Sequence, residues 1–313
     1  MRTIVMTGGT SGLGAVAAER IEARPGTRLL LGVRGPAPDG HESLPLDLTS
    51  LAAVRGFAAA VVERLRGDRI DALVLNAGML RRDVDGRTPD GFETTFAVNH
   101  LAHHLLLPLL LGHLAPGAVV VLTTSGTHDP AEKAGLPAPR HADARLLAHP
   151  ENETRREKPS VAGRRAYTAS KLCAVLTARA LEHLPGARVR RIRGVAYCPG
   201  QTPGTGLTRS MRLPLRLAWR LLGGRLRGLV PDLNSREGAG QALADLALAV
   251  VRPPDGECYA ALRRGRLTWK QPSELARRDG VMHALWHDSA ELAGAAYGDA
   301  STTTLPRAFP SPT

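Results

Sequence analysis

The chain has 313 residues, of which 43% are hydrophobic and 22% charged, with a formal net charge of +12. Those figures exclude a largely disordered chain and leave room for one substantial core, so a single α/β domain is the simplest organisation. The positive charge would suit nucleic acid or a small anionic ligand equally, but no nucleic-acid-binding motif accompanies the arginines, and no such partner is expected.

In chain order, the first half alternates strand-like and helix-like blocks. Thr3–Thr7 reads as a strand, followed by a helix from Leu13, a strand at Leu29–Val33, a helix from Leu51, a strand at Ala72–Leu75, a helix running through Asn99, and a strand at Val119–Thr123. This βαβα rhythm predicts a doubly wound parallel sheet of Rossmann type. The strands are nearly all apolar, as both faces of such a sheet are covered by helices. Residues 126–166 carry no sustained period and read as a long excursion that returns at Tyr167. Leu172–Leu184 then reads as a helix, Gly194–Tyr197 as a strand, Glu237–Val250 as a helix and Glu257–Ala261 as a strand. One domain over 1–300 is expected, with a covering segment at about 203–235 and a loose Thr/Pro/Ser-rich tail over 301–313.

Cys173, Cys198 and Cys258 lie far apart without metal-ligand spacing, so no metal is expected and a reducing compartment fits. Met1 leads within three residues into an apolar strand, leaving no room for a signal peptide. The most apolar stretch, Leu105–Leu111, contains Pro108, is flanked by His103, His104 and His113, and is too short to span a bilayer. A cytoplasmic location follows as the expectation.

The first strand runs into Gly8-Gly9-Thr10-Ser11-Gly12-Leu13-Gly14 and then an alanine-rich helix. A turn of this kind lets backbone N–H groups and a helix N-terminus meet a pyrophosphate, because glycine permits close approach and the helix dipole favours an anion. Thr7, Gly8, Gly12 and Gly14 fit a TGxxxGxG pattern, and in this the chain resembles the short-chain dehydrogenase/reductase family. The resemblance continues in order. Asp47-Leu48 after the second strand resembles the adenine-contacting pair, Asn76-Ala77-Gly78 the NAG signature, and Tyr167-Thr168-Ala169-Ser170-Lys171 the YxxxK pair.

The resemblance implies a nicotinamide cofactor held by Gly8, Thr10, Ser11, Gly12, Leu13, Gly14, Asp47, Leu48, Asn76, Ala77 and Gly78, with Tyr167 and Lys171 also touching it. The second strand ends Leu31-Gly32-Val33-Arg34 without the acidic residue that would bind a ribose 2′-hydroxyl. NADPH/NADP+ is therefore favoured over NADH, with Arg34 and Ser11 meeting the 2′-phosphate. The resemblance also makes Tyr167 the proton donor, Lys171 its partner, Ser125 the group bonded to the substrate oxygen, with Thr124 as the other choice, and Asn99 the organiser of a proton path. Tyr and Lys at i and i+4 share a helix face, where an ammonium would favour the phenolate. Pro199-Gly200 resembles the nicotinamide-side turn. The family commonly has a threonine where this chain has Gly204, leaving Thr202 or Thr205 to contact the carboxamide.

The excursion before Tyr167, Cys173 two residues after Lys171, and the sequence from Pro199 to Arg209 resemble the protochlorophyllide-reductase-like and retinol-dehydrogenase-like branch, which points to large apolar substrates. Gln201 stands where the light-dependent enzymes carry cysteine. In Met211–Val230, Arg212, Arg216 and Arg220 recur at i+4 beside Leu213, Leu217 and Leu221. Three readings of that segment stand open: a lid over an apolar substrate bearing an acidic group, which is favoured; a peripheral membrane contact; or an ordinary solvated face. The expected activity is reversible hydride transfer to a ketone, aldehyde or activated double bond. The rivals are a non-redox isomerase, dehydratase or cyclase using the same Tyr/Lys site, and a non-catalytic nucleotide-binding regulator.

Overall fold

The computed structural model describes residues 1–36, 40–202 and 233–295. The expected covering segment, Thr205 and the C-terminal tail lie almost wholly outside those residues. Eight strands form one sheet: β1 (Arg2–Thr7), β2 (Thr27–Val33), β3 (Ser43–Pro45), β4 (Ile70–Leu75), β5 (Leu114–Thr123), β6 (Arg193–Cys198), β7 (Tyr259–Arg263) and β8 (Arg266–Trp269). Their order is β3-β2-β1-β4-β5-β6-β7-β8. Every pairing from β3 through β7 is parallel, as the alternating rhythm implies, whereas β8 pairs with β7 antiparallel. The strand order reverses between β1 and β4, and at such a switch point the loops leaving the carboxyl ends of neighbouring strands diverge to opposite faces and open a crevice.

The helices are α1 (Gly12–Glu22), α2 (Leu51–Leu65), α3 (in three stretches, Thr94–Phe96, Ala97–Leu101 and Ala102–Leu111), α4 (Ala144–Ala148), α5 (Pro159–His183), α6 (Pro185–Val189), α7 (Arg236–Ala247), α8 (Glu274–Arg277) and α9 (Asp279–Leu292). On one face of the sheet α2, α3, α5 and α9 bury Val5, Leu30, Leu73, Val120 and Ala196 with Phe57, Leu106, Leu172 and Trp286. On the other face α1 and α7 cover Ile4, Met6, Leu31, Val74, Val121 and Tyr197. Successive residues of each strand therefore enter opposite cores, which is why the strands read as unbroken apolar runs.

Three expectations are corrected. The helix bearing Tyr167 begins at Pro159, not Leu172; its first turns are Arg- and Gly-rich with few apolar positions, so no apolar period betrays them, and Pro at the first helical position is the start signal. The excursion is accordingly shorter than 126–166 and contains α4 besides single turns. Finally, Asp47-Leu48 follows a third strand, β3, and not the second; with three residues, β3 is too short to show alternation.

Candidate active site

The carboxyl ends of β1, β4, β5 and β6 bring together the groups named from sequence. At the end of β1 the chain turns through Gly8 into α1. A Cβ on Gly14 would lie 2.0 Å from the Gly8 carbonyl oxygen and 2.6 Å from Asn76 Nδ2, so no other residue fits the close approach of helix to strand. Ser11 is the N-cap of α1 but its side chain makes no cap hydrogen bond, and the first turn holds no acidic residue. The leading N–H groups of this helix are thus left to an external anion, in contrast to α2, where the Ser50 side chain accepts from Ala53 N–H. Those features fit a nucleotide pyrophosphate.

Asn76 ties the strand ends together. Its Nδ2 donates to Gly8 O (2.8 Å), its Oδ1 accepts from Thr123 Oγ1 (2.9 Å), and its backbone N–H donates to Thr7 Oγ1 (3.1 Å). Asp47 caps its own turn, accepting from Thr49 N–H and Oγ1, while Leu48 packs against the α2 core. Arg34 is exposed just beyond β2, as are Thr10 and Ser11 on the glycine turn.

Asn99 lies in the middle stretch of α3, where the ladder widens to an i−5 bond from Ala102 N–H to Ala97 O. Single π turns of this kind re-aim a side chain inside a helix. The Asn99 amide uses its full donor capacity: Nδ2 donates to Met79 O and to Ser170 Oγ, each at 2.9 Å, and Oδ1 accepts from Met79 N–H at 2.8 Å. Met79, which sequence reasoning missed, is thereby clamped directly after the Asn76-Ala77-Gly78 turn.

Tyr167 and Lys171 share a face of α5 and are both almost fully buried. Lys171 Nζ lies 5.6 Å from the centroid of the Tyr167 ring and donates to Thr123 O at 2.9 Å. Ser125 lies close enough to the Tyr167 phenol to lower it, and its Oγ accepts from Thr127 N–H at the start of a short turn. Thr124 and Ser125 differ in their surroundings. Thr124 is buried and donates to Lys171 O at 2.6 Å, holding α5 to β5, so Ser125 is the hydroxyl beside the phenol.

The electrostatics depart from the simple expectation that Lys171 pulls the phenol down. Burial pushes Tyr167 well above the ordinary tyrosine value, opposed by the Ser125 hydroxyl. Burial also lowers Lys171 to about 8. Desolvation of both groups outweighs their mutual attraction at this separation.

Further groups brace Ser125. Gly126 N–H donates to Cys198 Sγ at 3.1 Å, and the His128 ring bonds Ser125 O at 2.7 Å. Glu132 pairs with both Arg263 and Lys270; burial would raise its carboxyl, but the two cations hold it below its usual value. Asn234 Nδ2 donates to Pro199 O and Leu262 O, and the Thr202 hydroxyl donates to Pro199 O at 3.0 Å, which fixes the Pro199-Gly200 turn. None of Cys198, Arg263 or Asn234 follows from local pattern, because each partner is distant in sequence.

One close approach carries a prediction. A Cβ on Gly163, one turn before Tyr167, would sit 2.6 Å from the backbone of Arg81, Arg82 and Asp83. Gly163→Ala is expected to destabilise the fold by about 1–3 kcal/mol, as inserted methyl groups do where backbone must move. A melting temperature equal to that of the unaltered protein would contradict the contact.

The model of the short chain dehydrogenase family matches residues 2–134. Human retinol dehydrogenase 13 is 30% identical over 98% of this chain and 88% of its own length. The chloroplastic protochlorophyllide reductase of Chlamydomonas reinhardtii is 28% identical over 94% of this chain and 78% of its own. The crystal structure of an uncharacterized protein from Mycobacterium paratuberculosis superposes with a TM-score of 0.66 at 28% identity, covering 98% of this chain and 95% of that one. The chain belongs to the short-chain dehydrogenase/reductase family and is a nicotinamide-dependent oxidoreductase. Within that family it falls on the branch that holds the retinol dehydrogenases and protochlorophyllide reductase.

Proposed function

We propose that the protein is an NADPH-preferring reductase that transfers hydride reversibly to a ketone, aldehyde or activated double bond of a largely apolar small molecule. The observation that carries the reading is the Ser125–Tyr167–Lys171 grouping at the switch-point crevice. The glycine turn and the uncapped N-terminus of α1 would hold the pyrophosphate, and Lys171, Pro199, Gly200 and Thr202 line the nicotinamide side.

When bound, the nicotinamide supplies the hydride. The protein supplies the rest. The Ser125 hydroxyl donates to the substrate oxygen as negative charge builds there, an interaction strongest in the transition state. Tyr167 then delivers its proton to that oxygen; a phenol raised by burial stays protonated until the substrate oxygen becomes the stronger base. Lys171, with its ammonium anchored on Thr123 O and 5.6 Å from the Tyr167 ring centroid, supplies a positive charge beside the phenolate so formed. Asn99 keeps the Met79 and Ser170 walls in register with the pair.

The preference for NADPH rests on Arg34, exposed at the end of β2 where an acidic residue would serve NADH. Arg34→Asp is expected to weaken NADPH binding by at least about tenfold, as loss of a charge-assisted contact does, and to narrow its advantage over NADH. Equal effects on both nucleotides would remove Arg34 from this role. Among the described residues no helix is long and apolar enough to cross a membrane. The three cysteines are free and buried, which suits a reducing compartment and supports a cytoplasmic location as part of this reading.

The test is titration of purified protein with NADPH and NADH, followed by oxidation of the reduced nucleotide against a panel of apolar ketones, aldehydes and enones. Preferential NADPH binding with substrate-dependent oxidation is the expected result. Tight binding without oxidation across the panel would favour a non-redox use of the site or a regulator, and no binding would overturn the reading.

A further inference from the structure

One buried polar side chain of α3 takes no part in the chemistry above. His103 is 3% exposed; its Nε2 lies 3.0 Å from Thr7 Oγ1 and its Nδ1 lies 3.3 Å from the Asn99 carbonyl oxygen. A threonine hydroxyl has two lone pairs and one hydrogen. Here the backbone N–H groups of Asn76 and Ala77 donate to Thr7 Oγ1 at 3.1 and 3.2 Å and occupy both lone pairs. Only the hydroxyl hydrogen is left for His103, so Nε2 accepts. In a neutral imidazole the proton then belongs on Nδ1, where Asn99 O receives it.

Protonating Nε2 would set an N–H donor against a hydroxyl with no lone pair to offer. Burial guards against this by lowering the ring to about 4; the nearby Lys171 charge acts in the same direction, and the Asn99 carbonyl opposes both. The ring bonds Thr7 and Asn99 directly and reaches Asn76-Ala77 through the Thr7 hydroxyl, so it links three parts of the crevice. Thr7 ends β1 and opens the glycine turn, Asn76-Ala77 end β4, and Asn99 braces Met79 and Ser170 beside Tyr167.

We propose that His103, locked as the neutral Nδ1–H tautomer, is a positioning residue that couples the nucleotide-cradling turns at Thr7 and Asn76-Ala77 to the backbone of Asn99. The inference rests on the nucleotide site proposed above. It accounts for a histidine at a buried position whose chain neighbours Leu101, Ala102, Leu105 and Leu106 are all buried and apolar, since a leucine there would leave the Thr7 hydroxyl without its acceptor.

Two half-replacements divide the ring's work. His103→Gln puts an amide oxygen near the Nε2 position and keeps an acceptor for Thr7 while losing the donor to Asn99. His103→Asn puts an amide N–H near the Nδ1 position and does the reverse. The expected result is that His103→Asn weakens NADPH binding about tenfold, since it strands the buried Thr7 hydroxyl, whereas His103→Gln keeps nucleotide affinity and lowers kcat instead. Thr7→Val should lose comparable affinity, and the double variant Thr7→Val/His103→Asn should be no weaker than Thr7→Val alone.

The imidazole ¹⁵N spectrum of the unaltered protein, assigned by the signal missing in His103→Gln, should show the proton on Nδ1, the tautomer less populated in free histidine. A proton on Nε2, additive losses in the double variant, or equal effects of Gln and Asn on nucleotide binding would each overturn the proposal. The spectrum needs neither nucleotide nor a folded Asn variant. An unaltered protein that binds no nicotinamide nucleotide would count against the proposed function, and the tautomer would still be decided by the spectrum.

Discussion

Tyr167→Phe is expected to lower kcat by at least about a thousandfold while leaving NADPH binding nearly unchanged, as removal of a general acid does. The substitution keeps the ring that packs 5.6 Å from Lys171 Nζ and deletes only the hydroxyl on the Ser125 side. Burial of the ring makes the loss hard to replace, because water has little access to the position from which the proton is delivered. Single-turnover oxidation of prebound NADPH, compared with its equilibrium Kd, separates the two effects. Full turnover in the variant would sink the assignment of Tyr167, and loss of binding together with turnover would make the hydroxyl part of the nucleotide site. Ser125→Ala is the natural companion: it removes the hydroxyl that opposes the effect of burial on the phenol, so its kcat should fall as well.

The fold was readable because both faces of the sheet are covered. Strands such as Ile4-Val5-Met6 and Val119–Leu122 are apolar without alternation, and the glycine turn, the Asn76 turn and Tyr167/Lys171 each carry a local spacing that survives without knowledge of the tertiary structure. What stayed hidden lacks a local signature. β3 is three residues long, β8 alternates between exposed and half-buried positions at the edge of the sheet, and the first turns of α5 are held by Arg165–Glu157 pairing and the Gly163 contact instead of an apolar stripe.

The site divides in the same way. Tyr167, Lys171, Ser125 and Asn99 do converge, as spacing and resemblance implied. Their electrostatics were not legible, because the sign of the Tyr167 shift depends on how deeply the pair is buried, a tertiary quantity. The Gly126–Cys198 brace behind Ser125 and the His103–Thr7 contact join residues tens of positions apart, and in sequence His103 registers only as an interruption beside the apolar run Leu105–Leu111.

Acidification below about pH 6.5 is expected to destabilise the fold steeply, and the cause lies where α3 meets α9. His100, His103 and His104 are all buried; His100 packs on Phe96 and its Nε2 bonds Ser289 Oγ at 2.8 Å, His104 packs edge-on to Trp286 with ring centroids 4.6 Å apart, and His103 faces Thr7 on the sheet side. Burial lowers all three, His103 to about 4 and His104 to about 3, with neighbouring His103 and His104 adding to the effect at His100 and His287 at His104. Their folded values are depressed, so the unfolded chain binds protons first as pH drops. The stability they contribute is complete above the unfolded value near 6.5 and is lost as pH falls from there toward 4 for His103 and 3 for His104. Each histidine costs about 1.4 kcal/mol per pH unit across its window. Between pH 6.5 and 5 His103 and His104 together remove about 3 kcal/mol, a large share of the net stability of many domains, and His100 acts in the same direction. Buried Glu93, raised by desolvation, works weakly the other way just above the usual carboxylate range, and the arginine-paired carboxylates Glu42 and Glu157, held low, lose their contribution only at lower pH. The window therefore identifies the histidines. Urea midpoints measured from pH 7.5 to 5 should fall steeply, and His104→Phe, which keeps an aromatic ring against Trp286, should reduce the slope by about one proton. A flat profile across that range would mean that these rings reach solvent or find acceptors as they charge, and the packing of α9 on α3 would then be looser than the structure shows.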